Sequence, residues 1–238
     1  MKTILIIPTY NEAQNLPNIV EILLQLPIVG LSVLVVDDNS PDGTGQIAED
    51  LKGNWGNRLQ VLHRAGKLGL GTAYIQGFRY ALEKEADIIG QMDADFSHSP
   101  QKIVELLNTL QNCDVAIGSR YIPGGSVDKR WAFWRKGLSA FGNFYARTIL
   151  NLPIRDVTGG FRFWRSEGLA RLPLRRVRSN GYVFQVEMAY LAHKFGLRFN
   201  EVPIHFFERK WGKSKMSFGI QLEAAVKVWL LLWQYRDL

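Results

Sequence analysis

Five short apolar runs, each closing on a polar turn and followed by an amphipathic stretch, constrain this chain more than any other feature. The runs are Thr3–Pro8, Ser32–Val36, Arg58–His63, Ile88–Met92 and Asp114–Gly118. Their Val, Ile and Leu fall on both parities, as in strands covered on both faces. Between them, Glu12–Leu26, Thr44–Leu51, Gly71–Lys84 and Pro100–Leu110 carry helical spacing. This alternation predicts βαβ units around a mostly parallel central sheet with flanking helices, an α/β fold. Asn11 is placed to cap the first helix, and Ser99-Pro100 to start the fourth. At 238 residues the length allows one large α/β domain and two small ones equally, and the order of elements reads as one domain over residues 1–238 with a C-terminal elaboration.

After Arg120 the pattern loosens. Ile122–Lys129 (IPGGSVDK) reads as a mobile loop, Ala132–Leu150 as a helix carrying Arg135, Lys136 and Arg147, and Arg155–Arg178 as arginine-rich turns. Phe199–Phe207 reads as a strand, Glu208–Lys215 as a basic loop, and Phe218–Tyr235 as a closing helix with aromatic anchors. Charge divides along the same line. Residues 1–119 hold 8 Lys+Arg against 14 Asp+Glu, and residues 120–238 hold 21 against 8 together with six of the seven tryptophans. The acidic half suits metal or base-polar work. The basic, tryptophan-rich half suits phosphate-bearing partners, nucleic acid or an anionic membrane surface.

Other classes fall away. Hydrophobic residues at 47% and charged residues at 21% exclude disorder. Cys113 is the single cysteine, so no intrachain disulfide forms, and no cluster has zinc-ligand spacing, which points to a reducing, cytoplasmic setting. The first apolar run stops at Pro8, too soon for a secretory core, and Ile22–Val36 is broken by Pro27 and Gly30, so no membrane span is expected.

The strand ends carry the chemistry. Ile7-Pro8-Thr9-Tyr10-Asn11-Glu12 follows the first run and VVDDNSPDGT (Val35–Thr44) the second, where open α/β sheets bind ligands. Met92-Asp93-Ala94-Asp95 follows the fourth. In extended chain, residues i and i+2 point the same way, so Asp93 and Asp95 can face one divalent cation, and oxygen ligands favour Mg²⁺ or Mn²⁺. Gly69-Leu70-Gly71-Thr72-Ala73-Tyr74 lacks the third glycine of a dinucleotide fingerprint, and Phe207 stands where a P-loop ending in Gly212-Lys213-Ser214 needs its first glycine.

PTYNE, VVDDNSPDGT, KLGLGTAYIQGF, DADFSH, GSRY, TGGFR and RKWGKSK occur in the order and spacing of polyprenyl (dolichyl) phosphate mannose synthases. The chain resembles that branch of the family-2 glycosyltransferases from about Ile4 to Lys215. The resemblance implies the GT-A (Rossmann-like) fold, and transfer of mannose from GDP-mannose to a polyprenyl phosphate with inversion and with Mg²⁺ or Mn²⁺. It implies that Pro8, Tyr10, Glu12, Val36 and Asp38 hold the guanosine. Asp93, Ala94 and Asp95 would meet the diphosphate and the metal, with Arg120, Arg209 and Lys215 clamping phosphates. Some archaeal relatives carry a glutamine where this chain has Ser97, which leaves a third protein ligand open.

A phosphate monoester, with its second pKa near 6, is already anionic at neutral pH and needs no general base. Positioning and charge stabilisation by the metal, Arg209 and Lys215 are then expected to carry catalysis, with Arg135 holding the acceptor phosphate. Asp156 either orients the acceptor or stabilises its turn. Val226, Trp229, Leu230 and Trp233 share one helical face, with Lys227 and Arg236 beside them. That face lies on the cytoplasmic membrane interface, packs on the domain, or docks on a separate membrane subunit. The rival readings are a transferase using a UDP-sugar and a basic nucleic-acid-binding protein.

Overall fold

The computed structural model describes residues 1–208 and 218–238, the side chains of 218–224 excepted. The strands are β1 (Thr3–Thr9), β2 (Leu31–Asp37), β3 (Leu59–His63), β4 (Ile88–Gln91), β5 (Val115–Ser119), β6 (Ser126–Val127), β7 (Arg162–Arg165), β8 (Phe199–Pro203) and β9 (His205–Phe206). The helices are α1 (Leu16–Leu24), α2 (Thr44–Trp55), α3 (Leu70–Glu83), α4 (Lys102–Thr109), α5 (Phe133–Ile149), α6 (Ser166–Ala170), α7 (Gly181–Lys194) and α8 (Phe218–Gln234). A seven-stranded sheet runs β3-β2-β1-β4-β7-β5-β8, parallel except for β7, which pairs antiparallel with β4 and β5.

Strand periodicity explains the layering. Ile4, Ile6, Leu34 and Val36 point to one face, against α3, α5, α7 and α8, while Leu5, Ile7, Val33 and Val35 point to the other, against α1, α2 and α4. Both faces are therefore apolar, as the doubled parity of the runs requires.

All five sequence-predicted strands are present within one or two residues at each end. Other expectations need correction. Asn11 does not cap α1: it adopts a left-handed φ of 62°, and the helix starts at Leu16 after Asn15. The fourth helix starts at Lys102, with the carbonyl of Ser99 accepting from the Lys102 N–H at 3.1 Å. The segment expected to be a mobile loop carries β6, which pairs in parallel with β9 as a separate ribbon, so main-chain hydrogen bonds tie it down. Phe199–Phe207 is two strands, because the chain leaves the large sheet after Pro203 and joins that ribbon. The arginine-rich segment contains β7 in the middle of the sheet.

Candidate active site

The sheet register brings the motifs to one edge. Pro8 and Thr9 lie opposite Val36 and Asp37, and Ile6 lies opposite Gln91, so the loops after β2, β1 and β4 emerge side by side. Strand order reverses between β1 and β4, which puts Tyr10–Glu12 and Asp93–Asp95 on the two sides of the crevice that open α/β sheets use for ligands. Because β7 runs antiparallel, its beginning reaches the same edge, where Gly160 comes up beside Asp93.

The first two loops are stitched together. The N–H groups of Asn11, Glu12 and Ala13 donate to Ser40 Oγ at 3.1 Å, Thr44 Oγ1 at 2.9 Å and Asp42 Oδ2 at 3.1 Å. Asp37 accepts from the Thr9 hydroxyl at 2.9 Å and from the N–H and hydroxyl of Ser40. Pro8 is half-buried behind this seam, and Val36 is fully buried in the core, so any part Val36 takes in ligand binding falls to its main chain.

The third loop adds Arg64, which the sequence reading did not single out. Asp38 pairs with Arg64 and accepts from the N–H groups of Leu68 and Gly69 at 3.1 and 3.0 Å, so it shapes this loop directly. Arg64 also donates to Gln76 and Thr72, and Lys67 lies 4.1 Å above the Tyr10 ring. The glycine-rich stretch is explained by close approach. A Cβ on Gly71 would meet the Ser179 carbonyl oxygen at 2.3 Å, so the loop before α7 seats here only on a glycine.

At the fourth loop, Asp95 is buried and accepts from the Ser97 N–H at 3.0 Å, while Asp93 is half-buried with the Tyr74 hydroxyl 3.5 Å away. Burial, reinforced by Asp93, holds the Tyr74 phenol well above its ordinary pKa, so it stays protonated. Ala94 turns its methyl into the core. His98 stacks on Phe161 at 4.9 Å, and burial lowers its pKa against the opposing pull of Asp93 and Asp95.

Two arginines of the basic half are interior. Arg120 donates from Nε and Nη2 to the two oxygens of Asp156, each at 2.7 Å, and from Nη2 to Thr158 Oγ1 at 2.8 Å. Burial works to raise the Asp156 pKa, and the Arg120 charge and hydrogen bonds overcome it, leaving the carboxyl below its ordinary value. Asp156 is therefore a holder of Arg120. Arg162 is fully buried and donates to the carbonyls of Gly159, Gln185 and Val157 at 2.9, 2.8 and 2.7 Å. Burial pushes its pKa down to about 10 against the opposing charges of Asp156 and Glu201.

Arg135 stacks on Trp131 at 3.8 Å and donates to both oxygens of Glu208 at 3.2 Å. It is thus paired with a carboxylate beside the crevice. Arg209 and Lys215 lie outside the described residues.

Residues 4–172 match the family described as Glycosyl transferase family 2. The chain is 45% identical to the undecaprenyl-phosphate mannosyltransferase of Micrococcus luteus, over 96% of this chain and 93% of that protein. It is 44% identical to the polyprenol monophosphomannose synthase of Mycolicibacterium smegmatis, over 95% and 85%. Among solved structures, its fold is similar to mannosyl-3-phosphoglycerate synthase from Rubrobacter xylanophilus. That match has a TM-score of 0.69 and 18% identity, covering 100% of this chain and 76% of that one. A Mycobacterium tuberculosis glucosyl-3-phosphoglycerate synthase, crystallised with Mn²⁺, UDP and glucosyl-3-phosphoglycerate, matches with a TM-score of 0.65 and 16% identity over 98% and 79%. With its strand-end loops gathered at the switch point of a GT-A sheet, this chain belongs to glycosyltransferase family 2.

Proposed function

We propose that the protein transfers mannose from GDP-mannose to a polyprenyl (dolichyl) monophosphate, with inversion at the anomeric carbon, at the cytoplasmic face of a membrane. Near-full-length identity to proteins named for mannosyl transfer to undecaprenyl phosphate and for polyprenol monophosphomannose synthesis carries this reading. The carboxylate pair fits a divalent cation. Asp93 and Asp95 offer oxygen ligands, Ser97 Oγ is buried without a partner two residues on, and no group of three or more His, Cys, Asp or Glu gathers among the described residues. An incomplete oxygen set suits Mg²⁺ or Mn²⁺, which take the remaining ligands from substrate phosphates and water. When bound, the cation supplies charge stabilisation for the departing nucleoside diphosphate.

The chain's own groups position the reactants. The acceptor phosphate arrives anionic and asks for no base. The Arg120 guanidinium, fixed on Asp156, keeps Nη1 without a hydrogen bond to the described residues, so it offers that edge to a phosphate. Arg135 holds the acceptor phosphate by exchanging Glu208 for it, already oriented by Trp131. Arg209 and Lys215 take the donor phosphates. Competition decides the donor: GDP is expected to inhibit mannosyl transfer at least about tenfold better than UDP, each decade being ~1.4 kcal/mol. Stronger inhibition by UDP moves the reading to a UDP-sugar.

The membrane contact falls on α5 and α8. Trp229 Nε1 donates to the Tyr145 hydroxyl at 2.9 Å, joining the helices. Val228, Leu231 and Tyr235 turn inward, while Trp229, Leu230 and Trp233 of α8 and Phe133, Trp134, Phe141 and Phe144 of α5 are exposed. Trp233 is 67% and Phe133 90% exposed, an aromatic surface that monomeric soluble proteins seldom leave to water. Among the described residues no helix is long and apolar enough to cross a membrane, so the lipid phosphate is met at the interface. Liposome flotation is expected to rise with anionic lipid and fall with salt, the electrostatic part being screened beyond a Debye length of ~8 Å. Trp229→Ser with Trp233→Ser should weaken binding at low and high salt alike. Equal flotation on neutral and anionic vesicles would remove the electrostatic component.

A further inference from the structure

We propose that Gln185 is a donor-sugar specificity residue, hydrogen-bonding a hydroxyl of the transferred hexose from the second turn of α7. This rests on the mannosyl-transfer reading above.

The argument begins with a contrast inside one buried helix. From Val183 to Ala192 every residue of α7 is buried, and the stretch includes Gln185 and Glu187. Glu187 is accounted for by the fold: it accepts from the Ser179 N–H at 2.8 Å, Gln234 Nε2 at 3.1 Å and the Tyr235 hydroxyl at 2.7 Å, tying α8 to the loop before α7. Gln185 has no such account. Its side chain is 2% exposed, and its Oε1 has no hydrogen-bond partner. An unpaired buried carbonyl is costly to fold, and it persists where a ligand supplies the missing donor.

The position supplies the ligand's chemistry. A Cβ built on Gly160 would stand 3.4 Å from Gln185 Nε2 and 3.8 Å from Asp93 Oδ1, so the missing side chain leaves a gap between the amide and the metal-binding loop. A nucleotide sugar whose diphosphate is held at Asp93 and Asp95 places its hexose next to that loop. A primary amide both donates and accepts, which matches a sugar hydroxyl. The main chain that carries the amide is also held in place. Arg162 Nη1 donates to the Gln185 main-chain carbonyl at 2.8 Å, and the adjacent Phe184 stacks on Tyr74 at 5.7 Å between ring centres. A site built to hydrogen-bond a substrate hydroxyl discriminates strongly against a donor that leaves the amide unpaired.

The test uses the mannosyl nucleotide that the wild-type enzyme accepts. Gln185→Met, close in volume, is expected to lower kcat/KM for that donor by about 10²-fold while leaving the Ki of the free nucleoside diphosphate and the KM for polyprenyl phosphate unchanged. Gly160→Ala makes only ordinary contacts with the protein. It should keep the wild-type Tm and lose donor turnover in the same way. Selectivity for the mannosyl over the glucosyl nucleotide should narrow in both variants. An equal loss of free-nucleotide affinity, or unchanged donor kinetics in a folded Gly160→Ala, overturns the assignment of Gln185 alone. A wild-type enzyme that transfers no mannose overturns the reading beneath it.

Discussion

Asp95→Asn should leave the protein folded and reduce transfer by about 10³-fold or more, the scale of a lost charge-stabilising interaction worth several kcal/mol. Asparagine keeps an oxygen for the Ser97 N–H, which sits 3.0 Å from Asp95 Oδ1, so the turn after β4 survives. What it removes is the charge. Asp95→Ala loses both and should be less stable as well as inactive. Comparing kcat and melting temperature for the two separates the chemistry from the turn. Raising the Mn²⁺ concentration should recover part of the activity of Asp95→Asn and none of that of Asp95→Ala. Near wild-type turnover of Asp95→Asn at saturating donor would remove the carboxylate from the metal site.

The parts of this protein that could be read from its residues are those where local chemistry and tertiary role agree. Apolar runs of both parities ending at Pro8, Val36 and Met92 had to be strands buried on two faces. The Asp, Asn and Ser residues after them had to turn at one edge of the sheet, because parallel strands all end on the same side. Helix starts misled where side chains serve tertiary bonds: Asn11 resembles a cap but adopts a left-handed turn that joins its N–H to Ser40. The illegible parts are those where burial runs against residue type. In α7 the residues from Val183 to Ala192 are buried on every side, so no amphipathic period marks the helix. In β7, Arg162 sits at the middle of the sheet with three main-chain carbonyls serving as its solvent. A composition rich in arginine and glycine conceals a strand of this kind. Gln185 was hidden for the same reason, since only the three-dimensional neighbourhood reveals that its carbonyl lacks a partner.

Asp156→Asn should destabilise the protein by about 3–5 kcal/mol, the usual result of removing one member of a buried ion pair. Asp156 is fully buried, and its oxygens accept from the Arg120 main-chain N–H at 2.9 Å and from Arg120 Nε and Nη2 at 2.7 Å. Asparagine keeps one accepting oxygen but loses the charge, so the buried guanidinium is left with that oxygen, Thr158 and the rings of Tyr121 and Phe206, 5.2 and 5.3 Å from its carbon, as its remaining compensation. The second change, Arg120→Gln in the same chain, should restore part of the loss, because two neutral groups cost less than one unpaired charge. The pH response has a definite sign. The native carboxyl titrates below its ordinary value. The pair's stabilisation is therefore complete above the unfolded pKa of about 4 and is lost as pH falls through the lower native pKa. Wild-type stability should decline on that acid limb, and Asp156→Asn should show a shallower decline from a lower plateau. Urea unfolding from pH 7 down to pH 3 measures both, and parallel curves for the two proteins would contradict the assignment. With Arg120 proposed as a phosphate clamp of the nucleotide sugar, the same variant should raise the KM for the nucleotide sugar more than that for polyprenyl phosphate. Loss of stability and loss of donor affinity then have one cause, a guanidinium no longer held in place.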